Sequence, residues 1–314
     1  MRTVQVVSVI NYKGGVGKTT LTANLGAEFA RRGLKVLLID LDPQTNLTFC
    51  FYHPDDWRKT LRESLTIKRW FDSIEAGVPK IGLGELIVSP KPVNAVLANT
   101  SGSLDLIASH LGLIHVDLEL ARGLGRIDSP YEAELFRVRG ALADALRDTA
   151  FTEYDLVLVD CPPNFNIATQ TAIVASDFIV IPAKADYLST LGIEYLWGNL
   201  EELKERHNEE ARRYSRRARH SKIDPIVAGV IFTMIQFRNE QPISALKYYI
   251  DQVRNLGIPA FKTYLRENMT LFAGTVPRGV PTVLREGLSS QVSTELRQLA
   301  TELLDTFRIE RAAA

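Results

Sequence analysis

"NYKGGVGKTT", residues 11–20, follows the apolar run "VQVVSVI" at 4–10 and leads into a stretch with helical periodicity. Strand, glycine-rich turn and helix in that order are the setting of a phosphate-binding loop. Gly14, Gly15 and Gly17, with Val16 between them, let the backbone turn tightly and bring successive N–H groups toward phosphate oxygens. The helix opening near Lys18 adds the positive end of its dipole. In such a loop Lys18 neutralises the outer phosphates, the Thr19 hydroxyl ligates Mg2+, and Thr20 reaches the innermost phosphate. The spelling departs from the common pattern in two places. Tyr12 stands where a glycine is usual, and a second lysine, Lys13, lies inside the loop.

Working outward, short β-branched runs recur at 35–40, 104–109, 155–160, 177–182 and 226–232. They lack polar alternation, as strands buried on both faces do, and helix-like stretches separate them. The expected fold is α/β, a mostly parallel twisted sheet with helices on both faces. In the first helix Leu21, Leu25 and Phe29 share a face, and Gly33 sits where a C-terminal cap belongs. Residues 50–100, with Trp57 and Trp70, and the charged stretch 201–222 interrupt the rhythm. Both read as additions to one domain spanning 1–314.

Strand ends carry the remaining chemistry. Asp160 closes "DLVLVD", beside the loop at the C-terminal edge of a parallel sheet, where a carboxylate can hold Mg2+ through water. Asp40 and Asp42 end "LLIDLD"; one can position water while the other supports the metal shell. A single aspartate there would read as a cap or a solvated group. Three at the ends of two buried strands, beside this loop, favour a phosphoryl-transfer site.

Composition narrows the class. The chain has 314 residues, 46% hydrophobic and 24% charged, with zero formal net charge. Any attraction to nucleic acid must therefore come from local patches. Cys50 and Cys161 have neither disulfide-framework nor metal-site spacing, so a reducing compartment is expected. No apolar run approaches the roughly 20 residues of a membrane helix, and the first residues lack a signal-peptide pattern, so the expected location is cytoplasmic.

"KGGVGKTT", "VLLIDLDPQTNLT" and "YDLVLVDCPPNFNIATQTAIVASDFIVIPAKADYLSTLGIEYL" together resemble the ParA/MinD family of deviant Walker A ATPases, on its ParA/Soj-like branch. "LDLIASHLGL", "GVIFTM" and "RGVPTV" extend the likeness, which covers roughly 1–49, 104–197 and 226–305. It is weak over 50–100 and 201–222, and the stretch from Arg266 to Gly279 is longer and less regular than the family's. The resemblance implies slow, Mg2+-dependent, partner-stimulated hydrolysis of ATP to ADP and phosphate, and a homodimer with ATP sandwiched between subunits. It gives Lys13 the role of the signature lysine that crosses to the partner's nucleotide, and Asp42 that of positioning the attacking water. It makes Asp160 the Walker B aspartate, with Asp40 supporting in the same switch segment, and Cys161 to Pro163 the turn after it. Thr233 and Met234 fall where the family lines its adenine pocket.

ParA-type relatives bind double-stranded DNA without sequence preference when dimeric and ATP-bound, and a ParB-like or other partner protein stimulates hydrolysis and releases them. That implies a protein associated with the nucleoid in its ATP state. Residues 204–222 hold eight Lys or Arg against three Glu, and Arg212, Arg213, Arg216, Arg217, Arg219 and Lys222 are the candidate phosphate contacts, with Tyr214 interleaved. Arg254, Arg266, Arg278 and Arg285 are further basic residues. A solvated helix with internal ion pairs explains such a run equally well. A MinD-like membrane helix at the C-terminus is disfavoured. Val292, Leu296, Leu299, Leu303 and Phe307 share a face, but the polar side balances acids against bases. Two other readings stand behind the DNA-partition one. One is a same-fold switch for protein assembly or secretion; the other is a small-molecule kinase or synthetase, for which no acceptor motif is evident.

Overall fold

The computed structural model describes residues 4–74, 80–116, 131–214, 222–239, 241–268, 279–285 and 291–309. Each apolar run of the sequence forms a strand: β1 (Gln5–Val9), β2 (Lys35–Asp40), β3 (Ser103–Ile107), β4 (Leu156–Asp160), β5 (Phe178–Ala183) and β6 (Ile226–Phe232). They make one sheet in the order β3-β2-β4-β1-β5-β6, every pair parallel. The order reverses at β1, so the loop that leaves β1 opens at a switch point, where α/β sheets bind ligands. Asp40 lies directly opposite Asp160, and Val9 pairs with Asp160 on the other side. Register alone therefore sets two carboxylates and the root of the glycine loop along one edge.

The longer helices are α1 (Lys18–Arg31), α2 (Tyr131–Ala145), α3 (Ile167–Ala175), α4 (Tyr187–Tyr214), α5 (Ser244–Asn255) and α6 (Gln291–Phe307). Side chains alternate along each strand, which divides the interior into two layers. Leu37, Ile39, Val157, Val159, Ile179 and Ile181 face a core built with α2, α3, α4 and α5. Val36, Leu38, Leu156, Leu158 and Val180 face one built with α1 and α6. The expected face of α1 is present: Leu21, Leu25 and Phe29 are all buried. Val292, Leu296, Leu299, Leu303 and Phe307 of α6 are buried as well, so this helix packs on the domain and has no apolar face left for lipid. Among the described residues no helix is long and apolar enough to cross a membrane.

Residues 50–100 contribute to both layers. Trp57, Leu61, Val93 and Leu97 join the α1 side; Trp70, Phe71, Leu83 and Leu86 join the other. Between them the chain runs along the outer strand. Val88 exchanges two backbone hydrogen bonds with Leu106, and Ile67 N–H donates to the Ala108 carbonyl. The segment thus covers the edge of β3, which would otherwise present unpaired backbone groups. The expectation for 201–222 differs from what is found. Residues 201–214 interrupt nothing; they are the second half of α4, whose 28 residues run on from the family-like stretch. Leu203, His207, Glu210 and Ala211 are buried at helical spacing, and Glu210 binds Arg139 of α2 through both oxygens at 2.9 and 2.8 Å. A charge that counts as solvated in the sequence is part of the core.

Candidate nucleotide site

The loop between β1 and α1 is held from several sides. Asn11 is buried; its amide donates to the Pro182 carbonyl at 2.7 Å, and its side-chain oxygen accepts from the Lys13 N–H at 2.9 Å. Tyr12 packs its ring against Phe165 and Tyr195, and its hydroxyl accepts from Asn199 at 2.6 Å. An anchored aromatic thus occupies the position where the common loop has glycine. Gly15 and Gly17 take positive φ of 68° and 88°, which turns the chain into α1. A Cβ on Gly14 or Gly15 would have no heavy atom within 4 Å, so no other part of the described structure crowds the loop at these two positions.

Lys18 lies under this loop, 7% exposed, its ammonium donating to the carbonyls of Asn11 (3.0 Å) and Lys13 (3.2 Å). Burial holds that ammonium below the usual lysine range, against the pull of Asp160 and Asp42. The Thr19 hydroxyl donates to Asp160 Oδ2 at 2.6 Å. Asp160 Oδ1 is buried and has no hydrogen-bond partner. Thr22 lies beside it, but that hydroxyl donates to the Lys18 carbonyl. Burial pushes the Asp160 carboxyl up to about 7; Thr19 and Lys18 pull the other way. A cation would satisfy the orphaned oxygen and remove the cost of its charge. Among the described residues no three carboxylates, histidines or cysteines converge on a metal position. A hydroxyl and one carboxylate are the sparse protein set that Mg2+ uses when phosphates and water complete its shell. The residues fit that ion.

Asp40 departs from the expected metal-shell role. One oxygen accepts from the Thr48 backbone N–H (2.8 Å) and hydroxyl (2.7 Å), and the other accepts from the Asp42 N–H (3.2 Å). It is fully buried, and burial followed by its neighbour Asp160 raises its carboxyl well above the ordinary range. Asp40 therefore clamps the segment after β2 and presents no unbonded oxygen to an ion. Asp42 is 7% exposed, and one of its oxygens accepts from the Gln44 N–H at 2.9 Å. Its carbonyl accepts from the Ser109 hydroxyl at 2.6 Å; Ser109 N–H donates to the Thr48 hydroxyl at 2.9 Å, and Trp57 Nε1 donates to the Ser109 carbonyl at 3.1 Å. Asp40, Thr48, Ser109 and Asp42 close a buried ring that ties residues 50–100 to the candidate water-positioning aspartate. Thr45, inside the same segment, holds a left-handed φ of 60°, a strained conformation of the kind that collects at functional sites.

Lys13 reaches along the rim. Its ammonium donates to both oxygens of Asp186, at 2.8 and 2.7 Å, and to the Ser189 hydroxyl at 3.2 Å. Thr233 also departs from expectation. It is fully buried, and its hydroxyl donates to the Val16 carbonyl at 2.8 Å, so it pins the phosphate loop to the end of β6 and does not line an open base pocket. Met234 follows with a left-handed φ of 54°. Cys161 is buried and its thiol is pushed up by burial, which makes it inert.

Of the basic residues, Arg212 and Arg213 are exposed on the last turn of α4 and Lys222 is exposed beyond it, whereas Arg216, Arg217, Arg219 and Arg278 lie outside the described residues. Arg213 pairs loosely with Glu132 at 3.9 Å. Arg266 binds Glu295 at 2.6 Å and stacks over Phe237, and Arg254 donates to the Tyr264 hydroxyl at 3.0 Å. These two are tied to their own surface.

A glycine loop at the switch point of a parallel sheet, a buried lysine beneath it and a Thr–Asp pair at its foot define a P-loop NTPase. The chain belongs to the ParA/MinD-like family within that class. A family model described as an AAA domain matches residues 4–212. The sporulation initiation inhibitor protein Soj of Bacillus subtilis is 28% identical over 259 residues, covering 81% of this chain and 84% of Soj. The chromosome partitioning protein ParA of Caulobacter vibrioides is 28% identical over 311 residues, covering 99% and 98%. Among solved structures, the ATP complex of a Cyanothece McdA variant aligns over 100% of both chains at 18% identity with a TM-score of 0.70. Cobyrinic acid a,c-diamide synthase from Mycobacterium smegmatis, with bound ADP and magnesium, aligns over 99% and 98% at 20% identity with a TM-score of 0.66. At these identities the two structures establish the fold alone.

Proposed function

We propose that this protein is a Mg2+-dependent ATP hydrolase of ParA type, in which ATP joins two copies and switches their association with double-stranded DNA. The observation that carries the nucleotide reading is the Thr19–Asp160 pair under the loop, with one buried Asp160 oxygen left unmatched. Thr19 and Asp160 hold Mg2+, which supplies charge neutralisation at the outer phosphates. The N–H groups of residues 14–18 and the Lys18 ammonium cradle the phosphates. Asp42 orients a water in line with the outer phosphorus, and Asp40 holds Asp42 in register through its backbone. Water oxygen bonds to that phosphorus as the bond to the bridging oxygen breaks, leaving ADP and phosphate. Lys13, at the rim, meets the nucleotide of the second copy and offsets charge there as an arginine finger does. Met234 borders the base.

For the cargo, support comes from the relatives named for sporulation control and chromosome partitioning and from the exposed Arg212, Arg213 and Lys222. The protein is then cytoplasmic, held to the nucleoid while ATP-bound and released by a ParB-like partner. A mobility-shift titration with random-sequence duplex at low salt, with and without ATP, tests this. ATP-dependent retardation that weakens steeply with salt is expected, and Arg216→Ala with Arg217→Ala should weaken it while sparing ATP binding. If ATP-bound protein ignores DNA, the switch serves protein assembly or placement instead.

A further inference from the structure

The contacts of Lys13 raise a question that the ATP-sandwich reading leaves open: where its charge goes before a second copy arrives. In the single chain the ammonium already has a carboxylate and a hydroxyl. Asp186 precedes the first residue of α4, and its Oδ1 also accepts from the Ser189 N–H at 2.8 Å. Asp186 thus does two things at once, capping α4 and holding Lys13. The pair is half-open to water, with the Lys13 side chain 31% exposed and that of Asp186 41%. Such a pair is worth little in isolation and exchanges readily. It also sits beside Tyr187, Leu188, Leu191 and Tyr195, apolar residues left exposed on the first turns of α4.

We infer that Asp186, aided by Ser189, is a positioning residue that keeps Lys13 on its own subunit and must release it for the ATP-bound dimer to form. The inference rests on the proposed dimer reading and adds a regulatory partner to it. A monomer whose lysine rests against Asp186 must give up that pair before offering the lysine across an interface. A second copy brings a polyphosphate, whose several negative charges outbid one carboxylate for the same ammonium. A copy covering the apolar residues of α4 also strips water from the pair, and a desolvated ion pair is costly unless it is repartnered. Nucleotide charge and surface burial therefore drive the same exchange, and Asp186 sets how much of both is needed.

Asp186→Asn separates the two jobs, because it keeps an oxygen for the Ser189 N–H and removes the charge that binds Lys13. Two measurements read the result in the full-length protein. The first is the rate of lysine acetylation by a small active ester in nucleotide-free protein, read by peptide mass spectrometry and normalised to Lys35. The Lys13 rate is expected to rise a few-fold in the variant. The second is the dissociation constant of the dimer formed with Mg2+ and a non-hydrolysable ATP analogue, by sedimentation. It is expected to fall by up to about fivefold, the limit for an exposed pair. An unchanged Lys13 rate shows that the pair does not hold the lysine and overturns the inference. A faster Lys13 rate with an unchanged or weaker dimer overturns the coupling. If the unmodified protein stays monomeric with the analogue, the dimer reading itself fails, and the coupling with it.

Discussion

Asp160 is a fully buried carboxyl facing Asp40, and replacing it by asparagine tests whether the site accepts instability in exchange for a metal. Burial raises its folded value from 3.8 to about 7. For a carboxyl raised in this way, the stability it confers is complete below about 3.8 and is lost as pH rises through about 7. Above that range the folded chain carries a buried charge, disfavoured by about three units, or roughly 4 kcal/mol at 1.36 kcal/mol per unit. Asp160→Asn removes the charge and keeps an oxygen for Thr19. The new amide has its own cost, but that cost does not vary with pH. The informative quantity is therefore the growth of the stability gap between variant and parent. From about pH 5.5 to about pH 8 it spans roughly 1.5 units of titration, or about 2 kcal/mol. For a chain of this size that is about 4 °C in Tm. Thermal unfolding by circular dichroism in EDTA, without nucleotide, measures it. The same variant should lose the rise in Tm that Mg2+ and ATP give the parent. Parallel Tm curves across this pH range would refute the account of Asp160 as a charge waiting for a cation.

Three further outcomes are expected. Asp42→Ala should bind ATP as the parent does but stall hydrolysis and accumulate as dimer, read by nucleotide titration and single-turnover phosphate release; normal turnover removes Asp42 from the mechanism. Ser109→Ala breaks the hydrogen bond to the Asp42 carbonyl, so kcat should fall several-fold at unchanged KM and stability by about 1 kcal/mol, and Ser109→Thr should restore turnover. Gly102→Ala would place a Cβ 2.0 Å from the Ala30 carbonyl oxygen. It should lower stability by about 1–3 kcal/mol in urea titration while leaving ATP affinity of the folded fraction intact.

The strands were legible because each is an unbroken apolar run, and a strand buried on both faces has nothing polar to hide it. The glycine loop was legible because the loop and its phosphate chemistry need particular residues at fixed spacing. Less visible were contacts made by polar residues among themselves. Asp40 and Asp160 look alike in sequence, yet Thr48 claims one and Thr19 the other. Thr233 reads as a strand end open to a ligand, and only the fold shows its hydroxyl turned onto Val16. The continuity of α4 through residues 201–214 was hidden because one of its core contacts is an ion pair, Glu210 with Arg139, which hydropathy scores as solvent-facing. Residues 50–100 gave no pattern because their work is split between two faces and an edge. Asp186 lay in a stretch that matched the family, but no spacing rule links it to Lys13.

The length of α4 has a mechanical consequence. Its 28 residues form a rod about 42 Å long at 1.5 Å per residue. One end starts beside Asp186 and the loop lysine, and the other finishes at Arg212 and Arg213. A tilt of about 5° at the first end sweeps the second through about 4 Å over such a length, comparable to the span of an ion pair. An adjustment too small to disturb the packing around the triphosphate is thus magnified, by leverage alone, into a change that a distant surface can register.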